Sequence, residues 1–172
     1  ALKWVQDLQD KLARISALLN SPIKNIENKL EATLKQISVL EKEIKTAKAG
    51  EKERFVQELL SKATKQENYL LITAQTEFNN LDELKTTAEL LKTKMQNTIA
   101  VLFNLYQDKL NILCVVSADL IPRYNAGKIV AKLAAELKGK GGGKPDIAMA
   151  GGKDLAKLAS VIEKVPEIIN TV

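Results

Sequence analysis

The stretch TIAVLFNLYQDKLNILCVV runs from Thr98 to Val116. Thr98 to Tyr106 and Lys109 to Val116 are both rich in β-formers, and only Gln107-Asp108 separates them. Two such runs joined by two residues predict a β-hairpin. Cys114, inside the second run, reads as a small core hydrophobe, because nothing nearby would lower its thiol pKa. Upstream, Asn80 with Glu83 makes a capping arrangement for a helix whose stripe is Leu81, Leu84, Ala88, Leu91 and Met95. Before it, Tyr69-Leu70-Leu71-Ile72-Thr73 is a short apolar strand. Downstream, Pro122 closes the hairpin region. Asn125 is placed to cap a helix carrying Ile129, Val130, Leu133, Ala134 and Leu137. Six of the eight glycines follow between Gly139 and Gly152, around a strand at Asp146–Met149. A helix with Leu155, Leu158 and Ile162 and a last turn restarted at Pro166 end the chain. The order β-α-β-β-α-β-α predicts an α+β domain with a small mixed sheet over residues 67–172.

Residues 1–66 read differently. Leu2, Val5, Leu8, Leu12, Ile15 and Leu19 recur at steps of three and four, one stripe of a helix. Ser21-Pro22 reads as an N-cap with proline at the first helical position. Ile23, Leu30, Ile37 and Ile44 then repeat at sevens, with Ile26, Thr33, Leu40 and Ala47 three residues on. That is a coiled-coil seam. Gly50 interrupts it, and Phe55, Val56, Leu59 and Leu60 start again. The expectation is a helical hairpin arm turning at Gly50, whose returning segment covers most of the seam. The uncovered remainder would support a weak homodimer. A seam that pairs with another chain altogether is the alternative.

Composition narrows the chemistry. The 172 residues are 45% hydrophobic, enough for a core without disulfide or metal staples. There is no histidine, which excludes Ser-His and Cys-His nucleophile pairs and HExxH zinc sites. One cysteine excludes an internal disulfide and any Cys-rich metal cage. Asp108, Asp119, Asp146 and Asp154 show no metal-ligand spacing, and Ser117 and Ser160 lack a base. A catalytic chain is therefore the weakest reading. The free cysteine and the lack of a signal peptide or ~20-residue apolar run point to the cytoplasm and away from membranes. Ala1, with no initiating methionine, reads as the cut end of a longer chain. Trp4 is the sole tryptophan, while Tyr124, amid basic residues, reads as a packing residue or as a platform for a base.

The net charge of +5 is local. From Leu120 to Lys144 there are six basic residues (Arg123, Lys128, Lys132, Lys138, Lys140 and Lys144) against Glu136, leaving twenty of each sign elsewhere. A polyanion partner would favour such a patch, though an ordinary solvated helix face would also produce it. Inside the patch lies Gly139-Lys140-Gly141-Gly142-Gly143-Lys144-Pro145-Asp146. Consecutive glycines remove every Cβ, so backbone can lie flat against a phosphate or sugar-phosphate chain. A Walker A loop fails, because Lys144 is followed by proline and a helix leads in. A GxGxxG loop fails, because its last position holds Lys144. Two readings stay open from the residues alone, a flexible connection and a phosphate-binding backbone.

The segment Gly139-Lys140-Gly141-Gly142-Gly143-Lys144-Pro145-Asp146-Ile147-Ala148-Met149-Ala150-Gly151-Gly152 resembles the GGGRPDxAxxGG signature of the C-terminal domain of alanyl-tRNA synthetase. Asn68 to Thr73 is similar to the family's first strand, and Asn125-Ala126-Gly127-Lys128 to the start of its basic helix. Lys144 stands where the family has Arg, and Lys138 where glycine is common. The resemblance implies a tRNA-binding domain that holds tRNA(Ala) so that aminoacylation and editing act on one bound molecule, and that aids oligomerisation. Implied partners are tRNA(Ala) and the other domains of the parent synthetase. The fragment itself is expected to hold no cofactor and to catalyse nothing, the parent using ATP, Mg and Zn. The nucleic-acid-binding residues expected are Arg123, Lys128, Lys138, Lys140, Gly141, Gly142, Gly143, Lys144 and Asp146. A related module ends DHH-type phosphoesterases, which gives one alternative; a coiled-coil dimerisation element gives the other.

Overall fold

The structure is a computed structural model that describes residues 2–172, with side chains from Lys3 onward. Ala1, and the side chain of Leu2 at the head of the first stripe, lie outside the described residues. The chain divides into two compact units, Ala1–Glu51 and Lys52–Val172.

The first unit is helical. Helix α1 spans Leu2–Leu18 and ends at Asn20, whose φ of 48° is in the left-handed region that terminates helices. A 3₁₀ turn at Ile23–Asn25 leads into α2, Ile26–Ser61. Pro22 stands just before that turn rather than inside the helix, and Ser21 supplies no side-chain cap. Instead its carbonyl accepts a hydrogen bond from Ser16 Oγ at 2.6 Å. The expected turn at Gly50 is absent, because α2 runs through it without a break. Glycine in a helix interior costs only ~1 kcal/mol against alanine, and good helix formers on both sides outweigh that. A continuous helix cannot fold its later turns back over its earlier ones. The heptad stripe is therefore open: Leu30, Ile37 and Ile44 are 46%, 47% and 56% exposed. Phe55, Leu59 and Leu60, expected to cover it, pack with Val56 into the second unit's core instead.

The second unit is a six-stranded mixed sheet with helices on both faces. Its strands are β1 (Thr64–Lys65), β2 (Leu70–Thr76), β3 (Thr98–Tyr106), β4 (Lys109–Val116), β5 (Lys140–Gly143) and β6 (Ile147–Gly152), in spatial order β1-β2-β3-β4-β6-β5. Helix α3 (Leu81–Lys94) connects the parallel pair β2 and β3, and α4 (Ala126–Glu136) leads from β4 to the β5–β6 ribbon. Short helices α5 (Leu158–Glu163) and α6 (Val165–Asn170) close the chain. The β3–β4 hairpin forms as read: Tyr106 pairs with Lys109, and Gln107 and Asp108 have φ of 47° and 60°. Two left-handed residues make the turn whose twist matches that of paired strands.

Side chains alternate across the sheet and fill two cores. Ile99, Val101, Phe103, Ile112 and Cys114 pack on the side of α4 and the C-terminal helices. Ala100, Leu102, Leu113 and Val115 pack on the side of α3 and the last turns of α2. Cys114 is fully buried, and burial alone pushes its thiol pKa up, as fits a core hydrophobe. Tyr124 is also a core residue, its ring edge-on to Tyr69 with centroids 5.2 Å apart. Of the caps read from sequence, the two asparagines are present. Asn80 accepts from Asp82 N–H at 2.8 Å, and Asn125 from Lys128 N–H at 3.1 Å. Among the described residues no helix is long and apolar enough to cross a membrane.

If Gly50 marks no turn, replacing it should help. Gly50→Ala, with nothing within 4 Å of the new Cβ, should stabilise α2 by about 0.5–1 kcal/mol. Helical CD through thermal unfolding reads this directly, and a loss of helicity would reinstate a break at residue 50.

Candidate nucleic-acid interface

The glycine-rich segment is neither a loose connection nor a loop. It is the edge strand β5, paired antiparallel to β6 as Lys140↔Gly151, Gly141↔Ala150, Gly142↔Met149 and Gly143↔Ala148. An edge strand leaves one row of N–H and C=O groups without a partner strand. The glycines in it differ in what they do. A Cβ on Gly141 would collide with the Cα and Cβ of Ala150, and one on Gly139 with the Gly151 carbonyl. On Gly143 it would lie 2.7 Å from Ala148 Cα. Close approach of residues 139–143 to β6 demands glycine at all three. Gly142 faces the other way, exposed, and a Cβ there would meet nothing within 4 Å. Nothing in the fold explains its lack of a side chain.

At the N-terminal end of β5, Lys138, Lys140 and Lys153 line a hollow of about 400 Å³ floored by Gly139, Gly151 and Gly152. Lys138 ends α4 with a φ of 52°, and the Leu137 carbonyl accepts from both Lys153 N–H and Asp154 N–H, pinning the chain after β6 to the helix end. Lys138 Nζ lies 3.1 Å from Asp154 Oδ2, and this hydrogen-bonded ammonium holds the Asp154 carboxyl below the usual carboxylate range. Lys140 and Lys153 make no ion pair among the described residues. Sequence reasoning missed Lys153, although it directly follows the Gly151-Gly152 that ends the signature.

The remaining expected residues lie elsewhere. Lys144 is exposed just past the other end of β5, some 13 Å along a strand rising ~3.3 Å per residue. The Pro145 carbonyl beside it accepts from Ala126 N–H at 2.9 Å, which seats the N-terminus of α4 and exposed Lys128 at that end. Arg123 is exposed in the turn before α4, outside the hollow. Asp146 is half-buried and bonded to Lys92 of α3 at 2.7 Å; that hydrogen bond is the chief cause of its lowered pKa. Its place is that of a brace holding the start of β6. Lys132, counted in the basic window, donates to the Thr171 carbonyl at 2.6 Å and secures the C-terminal turn.

A mixed α+β sheet ending in a glycine edge strand between lysines defines the class: the chain belongs to the DHHA1 domain family, whose model matches residues 67–171. The longer likeness is more particular. Over 165 residues, 96% of this chain, it is 32% identical to an alanine–tRNA ligase of Albidiferax ferrireducens, and over 162 residues 35% identical to one of Dehalococcoides mccartyi. The chain spans about 19% of the length of each. Among solved structures it is similar to the C-Ala domain of Aquifex aeolicus alanyl-tRNA synthetase, with a TM-score of 0.58 and 26% identity over 63% of this chain and 97% of that one.

The division of labour among the glycines is measurable in urea. Gly141→Ala should cost about 1–3 kcal/mol, since the added methyl overpacks the β5–β6 contact. Gly142→Ala should stay within ~0.5 kcal/mol of wild type, as open surface positions do. Equal losses at both would show that Gly142 serves the fold.

Proposed function

We propose that this chain is the tRNA-binding module of an alanine–tRNA ligase, gripping tRNA(Ala) along β5 so that charging and editing by the other domains act on one bound molecule. Gly142 carries the reading. A glycine on an exposed edge with open space around it is needless for folding but necessary where another backbone must come close. Lys140 and Lys153 beside it supply unpaired charge for phosphate, and Lys138 supplies a third cation at the rim. Lys144 and Lys128 would take phosphates beyond the far end of the strand. Such contacts position a nucleic acid without reading its sequence. The likeness to alanine–tRNA ligases across both units makes the DHH-type phosphoesterase alternative the poorer fit.

Lys138→Ala, Lys140→Ala and Lys153→Ala together should weaken tRNA binding. They should lower the slope of log K against log salt by roughly two to three units, at ~0.7–0.9 per phosphate contact. Gly142→Val should weaken binding with little change in stability, because a branched side chain stands where the RNA backbone would lie. Filter binding from low to high salt tests both, and an unchanged slope in the folded triple variant removes β5 as the site.

The open heptad stripe supports a second role for the first unit, a seam for another copy of the same chain. Its seven-residue spacing matches a seven-residue partner, and no described residue covers it. Sedimentation across a wide concentration range should show association that Ile37→Lys abolishes. A concentration-independent monomer leaves the stripe to other domains of the parent enzyme.

A further inference from the structure

Beside the lysine hollow lies a larger cleft of about 620 Å³, within the ~300–1,000 Å³ range of small-ligand sites. It opens on the α3 face of the sheet at the tip of the β3–β4 hairpin, bounded by the Phe78–Leu81 segment that leads into α3. Gly152 and Lys153 line both depressions, so the two share a wall. The register joins them as well. Asn104, Asn111, Gly151 and Lys140 lie side by side across β3, β4, β6 and β5, on the face that Gly142 also presents. Gly151 puts no side chain between Lys140 and Asn111.

The cleft's chemistry differs from that of the hollow. Asn104 is buried and held at both ends of its amide: its Oδ1 accepts from Thr76 Oγ1 and Phe78 N–H, and its Nδ2 donates to the Phe78 carbonyl. It fixes the wall. Asn111, one strand over and half-buried, makes no side-chain hydrogen bond to a described residue and offers a free donor and acceptor. Tyr106 is 38% exposed, an aromatic ring at the surface of the same cleft. Asp108 and Lys109 both line the cleft and offset each other in charge, so it carries little net charge apart from shared Lys153. A free amide beside an exposed ring matches the edge and face of a planar heterocycle, whereas a phosphate would choose the lysines next door.

We infer that this cleft receives an unpaired nucleobase of the RNA held on β5, with Tyr106 stacking on its face and the Asn111 amide bonding its edge. The inference rests on the RNA-binding reading above. It assigns the β3–β4 hairpin a role in selecting unstacked nucleotides that the glycine strand cannot have.

The test uses the 172-residue chain and five-nucleotide single-stranded RNAs, intact or with one base removed at each position in turn. Wild type should bind the intact oligonucleotide about tenfold more tightly than one of the abasic forms, as stacking of one base provides. Tyr106→Ala with Asn111→Ala should erase that difference and leave the salt slope unchanged. Tyr106→Phe, which keeps the ring, should retain it. The lysine triple variant should instead weaken intact and abasic RNA alike and reduce the slope. Equal wild-type binding of intact and abasic RNAs would overturn the base cleft while sparing RNA binding on β5. A preference that survives the double variant, or is lost equally in Tyr106→Phe, would also overturn it. Failure to bind either these RNAs or tRNA would defeat both readings together.

Discussion

Strands β3 and β4 are buried on both faces, and the remainder of the second unit follows from that. From Ile99 to Phe103 and from Ile112 to Val116 every side chain is fully shielded. An antiparallel hairpin with one solvated face would show polar residues at alternate positions; this one does not, so helices must cover both sides. The β2–α3–β3 crossover supplies one cover, and α4 with the C-terminal helices the other. Once α4 lies on the sheet, its end delivers the chain to the outer edge, and β5 and β6 take the only open flank of β4. The glycine strand is thus placed by the core rather than by any ligand.

What the strand offers is set by a further constraint, the nearness of β5 to β6. Ala148 and Ala150 oppose Gly143 and Gly141, small residues meeting at backbone distance. That contact fixes which face Lys140 and Gly142 present. The Lys92–Asp146 bond holds the start of β6 from the α3 side, and the Leu137 carbonyl holds its end through two N–H groups. Lysines on such a frame keep their spacing, which would lower the ordering cost of meeting the row of phosphates proposed above.

The legible parts of the sequence were those in which local preference and packing agree. The hairpin declared itself through β-branched runs around a two-residue break, and Asn80 and Asn125 declared their helices through cap chemistry. Misreadings came from glycine, which has no packing signature of its own. At Gly50 a local turn preference yielded to the cooperativity of a 36-residue helix. At Gly141–Gly143 a segment with no strand propensity became a strand because β6 was there to pair with it. The two-residue β1 carries too little pattern to be seen. In the candidate interface, Lys138 and Lys140 stood out by charge. Lys153 joins Lys138 and Lys140 only through the β5–β6 pairing, and the Tyr106–Asn111 cleft draws its lining from Phe78 to Lys153 across the sheet, which no local window reveals.

An exposed edge strand is also a hazard, since its free backbone groups can template a strand from another molecule and begin aggregation. Here glycine itself is the protection. A strand of Gly141, Gly142 and Gly143 offers an incoming chain no side chains to interdigitate with, and Lys140 and Lys144 at its ends would face their own like charges in a second copy. The same features would suit the negatively charged backbone proposed above, which needs no side-chain pairing. Resistance to edge-to-edge pairing thus comes from one short run of residues, and a substitution that makes β5 a better strand would make the protein a worse solute.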